Sequence, residues 1–246
     1  MLVKNWMTRE VVTVDAGASM FEGIRLIKEN DIHALPVLDN GKLVGIVTDR
    51  DLKRASASDA TTLDIHELHY LLDKIKIREL MTKNPITVYA DLTIEETAEL
   101  LLAKKISGVP VVDHKGGLVG VITKTDLFRV IIALTGVGKR GIQFALQIKD
   151  SPGSIKAVED IIRAYGGRIV SILTTYNRVP DGFRRIYIRM YGVQRERLQG
   201  LIEELKNDFR LIYMVDHLEN RRQVFSVLNF LQETESLLAE MVSEAD

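Results

Sequence analysis

The chain has 246 residues, of which 46% are hydrophobic and 27% charged, the balance of an ordinary globular protein. Its net charge of −1 gives no argument for binding nucleic acid or an anionic membrane, and the absence of Cys excludes disulfides, thiol catalysis and thiolate zinc sites. No apolar run approaches the roughly 20 residues of a membrane-spanning helix, and no signal peptide is recognisable at the start. We therefore expect a soluble, cytoplasmic protein built from several modules.

A sequence repeat organises the first half of the chain. The block Met7–Val14 returns as Met81–Val88, and Ala34–Asp39 returns as Gly108–Asp113, both at an offset of 74 residues. A third block, Leu43–Leu52, returns 75 residues further on. Three matched blocks in the same order indicate a duplicated unit.

Each copy is predicted to fold as strand, helix, strand, strand, helix. Val11–Val14 is short and β-branched, which is typical of a strand, and Ser19 and Thr93 each precede a Glu by three residues, which predicts a capping box at a helix start. Asn40-Gly41 between two apolar runs predicts a hairpin turn. The segment Asp64–Leu72 between the copies is predicted to be helical.

A second module follows the repeats. Alternating apolar residues predict its strands, and helical spacing predicts two helices, one after Ser154 and one over Leu198–Leu205. The four strands are predicted at Ile142–Ile148, Arg168–Thr174, Phe183–Tyr191 and Leu211–Val215. This βαββαβ order is ferredoxin-like. The tail is predicted to be an amphipathic helix from its apolar spacing, with a stripe made of Val224, Val227, Leu231, Leu238 and Met241.

Two glycine- and histidine-containing motifs are rejected. Gly136-x-Gly138-x-x-Gly141 matches a dinucleotide fingerprint in letters, but it follows a predicted helix and precedes a strand, so a linker is favoured. His66 and His69 lack the zinc-protease spacing and have no third ligand nearby in the sequence, so no metal site is expected.

The Pro-centred strands and the two Gly-hydrophobic-hydrophobic-Thr-x-x-Asp blocks resemble the tandem CBS-domain pair, also called a Bateman module. The second module, with Asp150-Ser151-Pro152-Gly153 at its first turn, resembles an ACT domain; that turn alone is explained by ordinary turn chemistry. The combination is similar to CBS–ACT proteins found with acetoin-utilisation genes. The implied fold is α+β: a CBS pair of two βαββα repeats, a ferredoxin-like ACT domain and a C-terminal helix. The domain boundaries are repeat 1 at 1–76, repeat 2 at 77–135, a linker at 136–141, the ACT-like domain at 142–216 and the tail at 217–246.

The Thr-x-x-Asp blocks admit two interpretations. In one, Thr48 with Asp51 and Thr123 with Asp126 are capping boxes at helix starts. In the other they are nucleotide sites, because a helix N-terminus attracts phosphate and a carboxylate accepts hydrogen bonds from both hydroxyls of a ribose. The nucleotide hypothesis would fail if both carboxylates served only their own helix ends and the clefts were filled.

The resemblance implies two clefts that combine the base pocket of one repeat with the Thr/Asp block of the other. One cleft would be formed by Val12, Ile32, His33, Val121, Thr123 and Asp126. Its twin would be formed by Ile86, Ile106, Ser107, Ile46, Thr48 and Asp51. Arg50 and Lys124 are candidates for phosphate contacts or else ordinary solvated cations.

These observations predict a regulatory protein and no enzyme. Its expected ligand is an adenine nucleotide (AMP, ADP or ATP) or S-adenosylmethionine, with no required cofactor, and a change on binding would pass through the ACT-like module to a protein partner. A homodimer is expected from the resemblance. The alternatives are a structural assembly protein with empty clefts and an enzyme that acts on a nucleotide.

Overall fold

The computed structural model describes residues 1–59 and 72–225, and the chain divides within one helix into two units, Met1–Val130 and Ile131–Asp246. The helix predicted at Asp64–Leu72 lies outside the described residues except for its last position, Leu72, which is buried.

As far as the structure describes it, the first repeat of unit 1 has one four-stranded sheet with two long helices. Its strands are ordered β1-β2-β3-β4, and the last strand comes from the start of the second repeat. The elements are β1 Val14–Asp15, α1 Met20–Glu29, β2 Ala34–Asp39, β3 Lys42–Thr48, α2 Asp49–Asp59, α3 Ile77–Leu80 and β4 Thr82–Lys83.

The second repeat has a three-stranded sheet, ordered β5-β6-β7, and two long helices. Its elements are β5 Val88–Tyr89, α4 Ile94–Ala103, β6 Gly108–Val112, β7 Leu118–Thr123 and α5 Lys124–Thr135. In both repeats the first strand pairs in parallel with the second, and the second forms an antiparallel hairpin with the third.

Local sequence explains most of these elements. Asn40 and Gly41 both have positive φ (49° and 77°), as the tight turn between β2 and β3 requires. Thr93 forms a complete capping box with Glu96. At Ser19 only half of the predicted box exists, because the Glu22 amide donates to Ser19 Oγ while the Glu22 carboxylate is engaged by Arg25. The prediction of a strand over Val11–Val14 was too long: β1 begins at Val14, since only Val14 and Asp15 pair with β2.

Residues 142–224 of unit 2 form one five-stranded antiparallel sheet with two helices on one face. The strand order is β12-β11-β8-β10-β9. Its elements are β8 Ile142–Lys149, α6 Ser154–Ala164, β9 Arg168–Thr175, β10 Phe183–Tyr191, α7 Arg195–Asp208, β11 Arg210–Asp216 and β12 Arg221–Val224. Apolar residues of one sheet face and of both helices, including Phe144, Val158 and Leu201, form a single core.

Two segments at the edges of unit 2 bear on the sequence predictions. The glycine-rich stretch follows α5 and precedes β8, and Gly141 lies against the Met190 carbonyl so closely that a Cβ would clash. The prediction of a helix throughout 217–246 was wrong at Val224, which lies in β12, an edge strand hydrogen-bonded to β11. The remainder of that predicted helix, from 226 onward, lies outside the described residues.

Candidate functional site

The two Thr-x-x-Asp blocks have nearly the same geometry at the starts of α2 and α5. The amide and hydroxyl of Thr48 donate to Asp51 Oδ2 (3.0 and 2.6 Å), and the Asp51 amide donates to Thr48 Oγ1 (3.2 Å). The corresponding distances between Thr123 and Asp126 are 2.9, 2.7 and 3.4 Å. Both carboxylates therefore face their own helix ends, which is the capping geometry.

Capping uses only one oxygen of each carboxylate. Asp51 is half-buried, and among the described residues its Oδ1 accepts no hydrogen bond. Asp126 is buried, and its Oδ1 accepts a hydrogen bond from Arg129 Nη1 at 3.0 Å. Since a carboxylate oxygen has two lone pairs, both blocks keep acceptor capacity for a ligand hydroxyl, and Asp51 keeps more.

The first turns of α2 and α5 also offer backbone donors, because the first amides of a helix have no intrahelical acceptor. Two amides in each turn are already used: Asp49 donates to the His33 carbonyl at 3.0 Å and Lys124 to the Ser107 carbonyl at 2.8 Å, beside the amides that bond the Thr hydroxyls. The amides of Arg50 and Thr125 are engaged by no hydrogen bond among the described residues. These two amides are the donors that a bound anion would find at each helix start.

The segment that leads into each repeat lies on the sheet of the other repeat. Thr8 and Val121 exchange two backbone hydrogen bonds of 2.9 Å, and Thr82 pairs with Ile46 on β3. Val3, in the first lead segment, is fully buried in the core of the second repeat, and Ile77 in that of the first. The two repeats therefore share residues reciprocally within unit 1.

Glycines allow this exchange. A Cβ at Gly120 would lie 2.6 Å from Met7 Sδ and 3.0 Å from the Thr8 carbonyl oxygen. A Cβ at Gly45 would lie 2.9 Å from Met81 Cγ and 3.1 Å from the Thr82 oxygen. Sequence reasoning missed these contacts, although a glycine inside an apolar strand is a recognised sign of close backbone approach.

The predicted base-pocket residues occupy different environments. Val12 and Ile32 pack against the core of repeat 1 and Ile106 against that of repeat 2, whereas Ile86 is exposed. Ile46 and Val121, on β3 and β7, are half-buried. The predicted combination of each base pocket with the block of the other repeat stays a prediction.

Exposed His33 and Ser107 each lie beside the block of their own repeat. The His33 Nδ1 is 3.9 Å from Asp49 Oδ2, and Ser107 bonds the Lys124 amide through its carbonyl. Arg50 is exposed and Lys124 half-buried.

A cavity of about 560 Å³ contains two of the predicted residues, Ile32 and His33. It lies between the end of α1 and the start of α2, with an apolar floor and a charged rim. Its other lining residues are Ile24, Ile27, Lys28, Asp31, Asp49, Leu52 and Lys53. A larger cavity of about 700 Å³, lined by Ala16 and Arg78 among others, contains none of the predicted residues. The first cavity has the volume and the mixed lining of a small-molecule site.

The turn Asp150–Gly153, between β8 and α6, is stabilised by an ion pair and hydrogen bonds. Arg184 donates to Ser154 Oγ (3.0 Å) and lies 3.5 Å from the Asp150 carboxylate, to which Tyr176 also donates. Arg189 is buried and donates to the Thr135 carbonyl and to Gln143, and burial lowers its pKa.

The described ranges contain no cluster of three His, Asp or Glu side chains that would hold a metal ion. His66 and His69 lie outside those ranges. No helix within 1–59 and 72–225 is long and apolar enough to cross a membrane.

Comparison with known proteins places the repeats in a family. The model of the CBS domain matches residues 3–58 and 77–133, one copy on each repeat. A CBS domain-containing protein of Dictyostelium discoideum is 34% identical over 132 residues, which cover 53% of this chain and 91% of that protein. The chain belongs to the CBS-domain family. Its tandem CBS pair is also 34% identical over 125 residues to inosine-5'-monophosphate dehydrogenase of Korarchaeum cryptofilum, but this match covers only 23% of that enzyme.

Solved structures similar to this CBS-domain chain cover about half of its length. One is a CBS domain pair in complex with 5'-methylthioadenosine and S-adenosyl-L-methionine (32% identity, 53% of this chain, 95% of that chain, TM-score 0.46). Another is CBSX2 in complex with AMP (31% identity, 53% of this chain, 96% of that chain, TM-score 0.45). A third is a Vibrio cholerae protein assigned to acetoin utilization, AcuB (29% identity, 56% of this chain, 96% of that chain, TM-score 0.48).

Proposed function

We propose that this CBS-domain protein is a regulatory sensor that binds adenosine compounds at its two Thr-x-x-Asp blocks. The observation that carries the proposal is the duplicated geometry at α2 and α5: an anchored carboxylate with acceptor capacity left over, next to an amide for which the described part of the chain provides no acceptor. A ribose diol matches the carboxylate, and a charged 5' group matches the helix start.

The two clefts of the proposal combine residues of both repeats. The lead segments support this, because they bring Thr8 onto β7 and Thr82 onto β3, so that each block is built on a strand that the other repeat contacts. Ile32 and His33 line a cavity beside the block of their own repeat. We propose that they also contribute to the cleft of Thr123 and Asp126. The remaining predicted residues are also proposed as cleft residues. They are Val12, Ile46, Ile86, Ile106, Ser107 and Val121.

Unit 2 is proposed to transmit the bound state. Its order β8, α6, β9, β10, α7, β11 follows the ferredoxin-like pattern, and we propose an ACT-like regulatory domain within 142–216 that acts on a protein partner in a cytoplasmic homodimer. A ligand changes such a partner only if it prefers one arrangement of the protein over another. A role in acetoin utilisation is part of the same proposal.

A melting-temperature screen with AMP, ADP, ATP and S-adenosylmethionine tests the sensor. A ligand that binds only the folded state raises the melting temperature, so the parent protein is expected to respond, and Asp51→Ala and Asp126→Ala are each expected to lose part of the response. Because both carboxylates also cap helices, the control is Glu96→Ala, which removes an equivalent capping box from α4. It is expected to lower stability by about 1 kcal/mol and leave the ligand response unchanged.

The second candidate is a structural assembly protein, favoured by the fact that both Asp side chains cap their helices. In that case no compound of the screen shifts the melting temperature, and the Asp51→Ala and Asp126→Ala variants behave like Glu96→Ala. Turnover of a nucleotide in the same samples would instead indicate an enzyme.

A further inference from the structure

The sheet of unit 2 has an open face on the side away from its helices. Within residues 142–224 both helices pack on one side of the sheet, against core residues such as Ile186 and Ile188. Because side chains alternate along a strand, the residues between these core positions point to the other side. Strand pairing aligns a largely apolar row across the middle of this open face. The row is Leu173, Tyr187, Ala145, Tyr213 and Val224.

Two polar rows that contain arginines flank the apolar row. One is Thr175, Arg185, Gln147 and Arg210, and the other is Ser171, Arg189, Gln143, Val215 and Arg222. None of the side chains in the three rows is acidic. The open face is therefore an apolar row between two basic edges.

Three of these arginines have no counterion within the described ranges, since no ion pair involves Arg185, Arg189 or Arg222 there. Arg189 is only 4% exposed and donates to the Thr135 carbonyl and to Gln143. Its Nη1 and the Nε of Arg185 are buried donors for which these ranges provide no acceptor. A buried charge without a counterion is costly, so carboxylates placed beside this face stabilise it.

The segment that follows β12 has the complementary composition. Residues 226–246 contain no Lys or Arg, and their carboxylates are Glu233, Glu235, Glu240, Glu244 and Asp246. The apolar stripe predicted from the sequence consists of Val227, Leu231, Leu238 and Met241. At helical spacing the first, third and fourth of the carboxylates fall on one side of this stripe and the other two on the opposite side. The sequence therefore predicts an apolar stripe between two acidic edges.

We propose that residues 226–246 dock on the open face of their own chain, with the apolar stripe on the tyrosine row and the carboxylates among the arginines. Exposed Val224 belongs to that row, so the segment begins at the edge of the face. From β12 to β10 the strand order requires three strand spacings, about 14 Å. A helix over 226–246 would be about 31 Å long, which is enough to reach every arginine of the face.

Charge and tethering favour this occupant over others. Two copies that packed through their open faces would bring arginines against arginines, and such like-charge contacts are unfavourable. An acidic protein from solution would have the right charge. The tethered segment, however, has an effective concentration of about the millimolar order, so it occupies the face in preference to a dilute partner.

Hydroxyl-radical footprinting of tyrosines tests the docking. Labelling of Tyr187 and Tyr213 is expected to rise severalfold when the chain is truncated after Phe225, because both rings lose their cover. The full-length protein should show the same low labelling of these tyrosines at every protein concentration. Exposed Tyr89 of unit 1 serves as the internal control and should be labelled equally in both proteins.

Charge exchange separates docking from a general loss of stability. Glu235→Lys with Glu240→Lys, and Arg185→Glu with Arg222→Glu, should each raise the labelling of both tyrosines as truncation does. The four changes together should restore the protection, because opposite charges face each other again. The control is Arg163→Glu, the same charge reversal at an exposed position of α6 on the other side of the sheet, which should leave the labelling unchanged.

Three results would overturn the proposal. The first is equal labelling of Tyr187 and Tyr213 with and without residues 226–246, and the second is a combined variant that stays as reactive as either pair of changes. The third is protection that grows with protein concentration, which would place a second copy on the face. No nucleotide takes part in these experiments, so their outcome is independent of the ligand screen.

Discussion

The two carboxylate oxygens of Asp51 have different roles, and so do those of Asp126. Oδ2 closes the first helical turn with the amide and hydroxyl of a Thr, and Oδ1 takes no part in these bonds. The Thr93 and Glu96 pair shows that the same closure forms where no ligand role is proposed. Capping therefore explains why the carboxylate is held in place, and the second oxygen is what a ligand can use.

The sequence predicted the Thr and Asp pairs correctly as contacting residues, because the spacing of three positions at a helix start is a local property. It could not predict that Arg129 neutralises Asp126, since Arg54 stands at the same position relative to Asp51 and the described hydrogen bonds show no such pair there. The difference depends on rotamers and burial, which a one-dimensional pattern does not contain.

Asp216 of unit 2 gives a prediction of pH dependence. Burial alone would raise the pKa of this fully buried carboxyl group, but hydrogen bonds from Arg195 and from the Leu218 and Glu219 amides lower the pKa below its ordinary 3.8. A lowered folded-state pKa contributes stability above the unfolded-state pKa, and this contribution is lost as the pH falls through the folded-state value.

We therefore expect Asp216→Asn to destabilise the protein by roughly 1–3 kcal/mol near neutral pH, because its buried donors lose a charged acceptor. The difference from the parent protein should stay constant above about pH 5 and shrink below about pH 4. Urea unfolding curves at a series of pH values measure this difference. A difference that stays constant down to pH 2 would show that the Asp216 carboxylate does not carry the effect.

At the scale of elements, the bounds of a strand depend on its pairing with neighbouring strands more than on its own sequence. Val11–Val14 has a good strand composition, yet β1 comprises only Val14 and Asp15, because only these two residues pair with β2. β12 shows the converse: its Val224 fits a helical stripe in the sequence, but the free edge of β11 pairs with it. Both predictions failed because pairing is decided by residues far away in the chain.

The contacts of Gly45 and Gly120 predict a cost for the smallest possible side chain. Gly45→Ala and Gly120→Ala are each expected to lower the free energy of unfolding by about 1–3 kcal/mol, since the added methyl group meets a methionine and a backbone oxygen of the crossing segment. Chemical denaturation measures this loss. The control is Gly138→Ala, because a Cβ there has no neighbour within 4 Å.

The partner residue gives a second check on that mechanism. If Met81 causes the clash at Gly45, Met81→Ala should relieve part of it, so the cost of Gly45→Ala should be smaller in the Met81→Ala background. Additive costs in this double-mutant cycle would contradict the proposed contact.

At the scale of the whole molecule, the repeat made the architecture of unit 1 largely predictable, because two similar sequences adopt the same order of elements. The reciprocal exchange of the lead segments was not predictable from the repeat itself. A duplicated sequence has the same local pattern whether Met7 and Thr8 lie on their own sheet or on the other, and only the tertiary arrangement distinguishes the two cases.

Because the lead segments cross, the stability of repeat 2 depends on residues at the other end of unit 1. Val3 is completely buried among Val88, Leu101 and Val111, so Val3→Ala should cost about 1–3 kcal/mol through lost burial and a residual cavity. Hydrogen–deuterium exchange should then rise in peptides that cover β6 and β7, more than 100 residues further along the chain. An equal truncation at exposed Val224 should leave those peptides protected. If hydrogen–deuterium exchange in Val3→Ala rises only within the first ten residues, the lead segment does not stabilise the second repeat. A ligand bound to one repeat then could not act on the other through this segment.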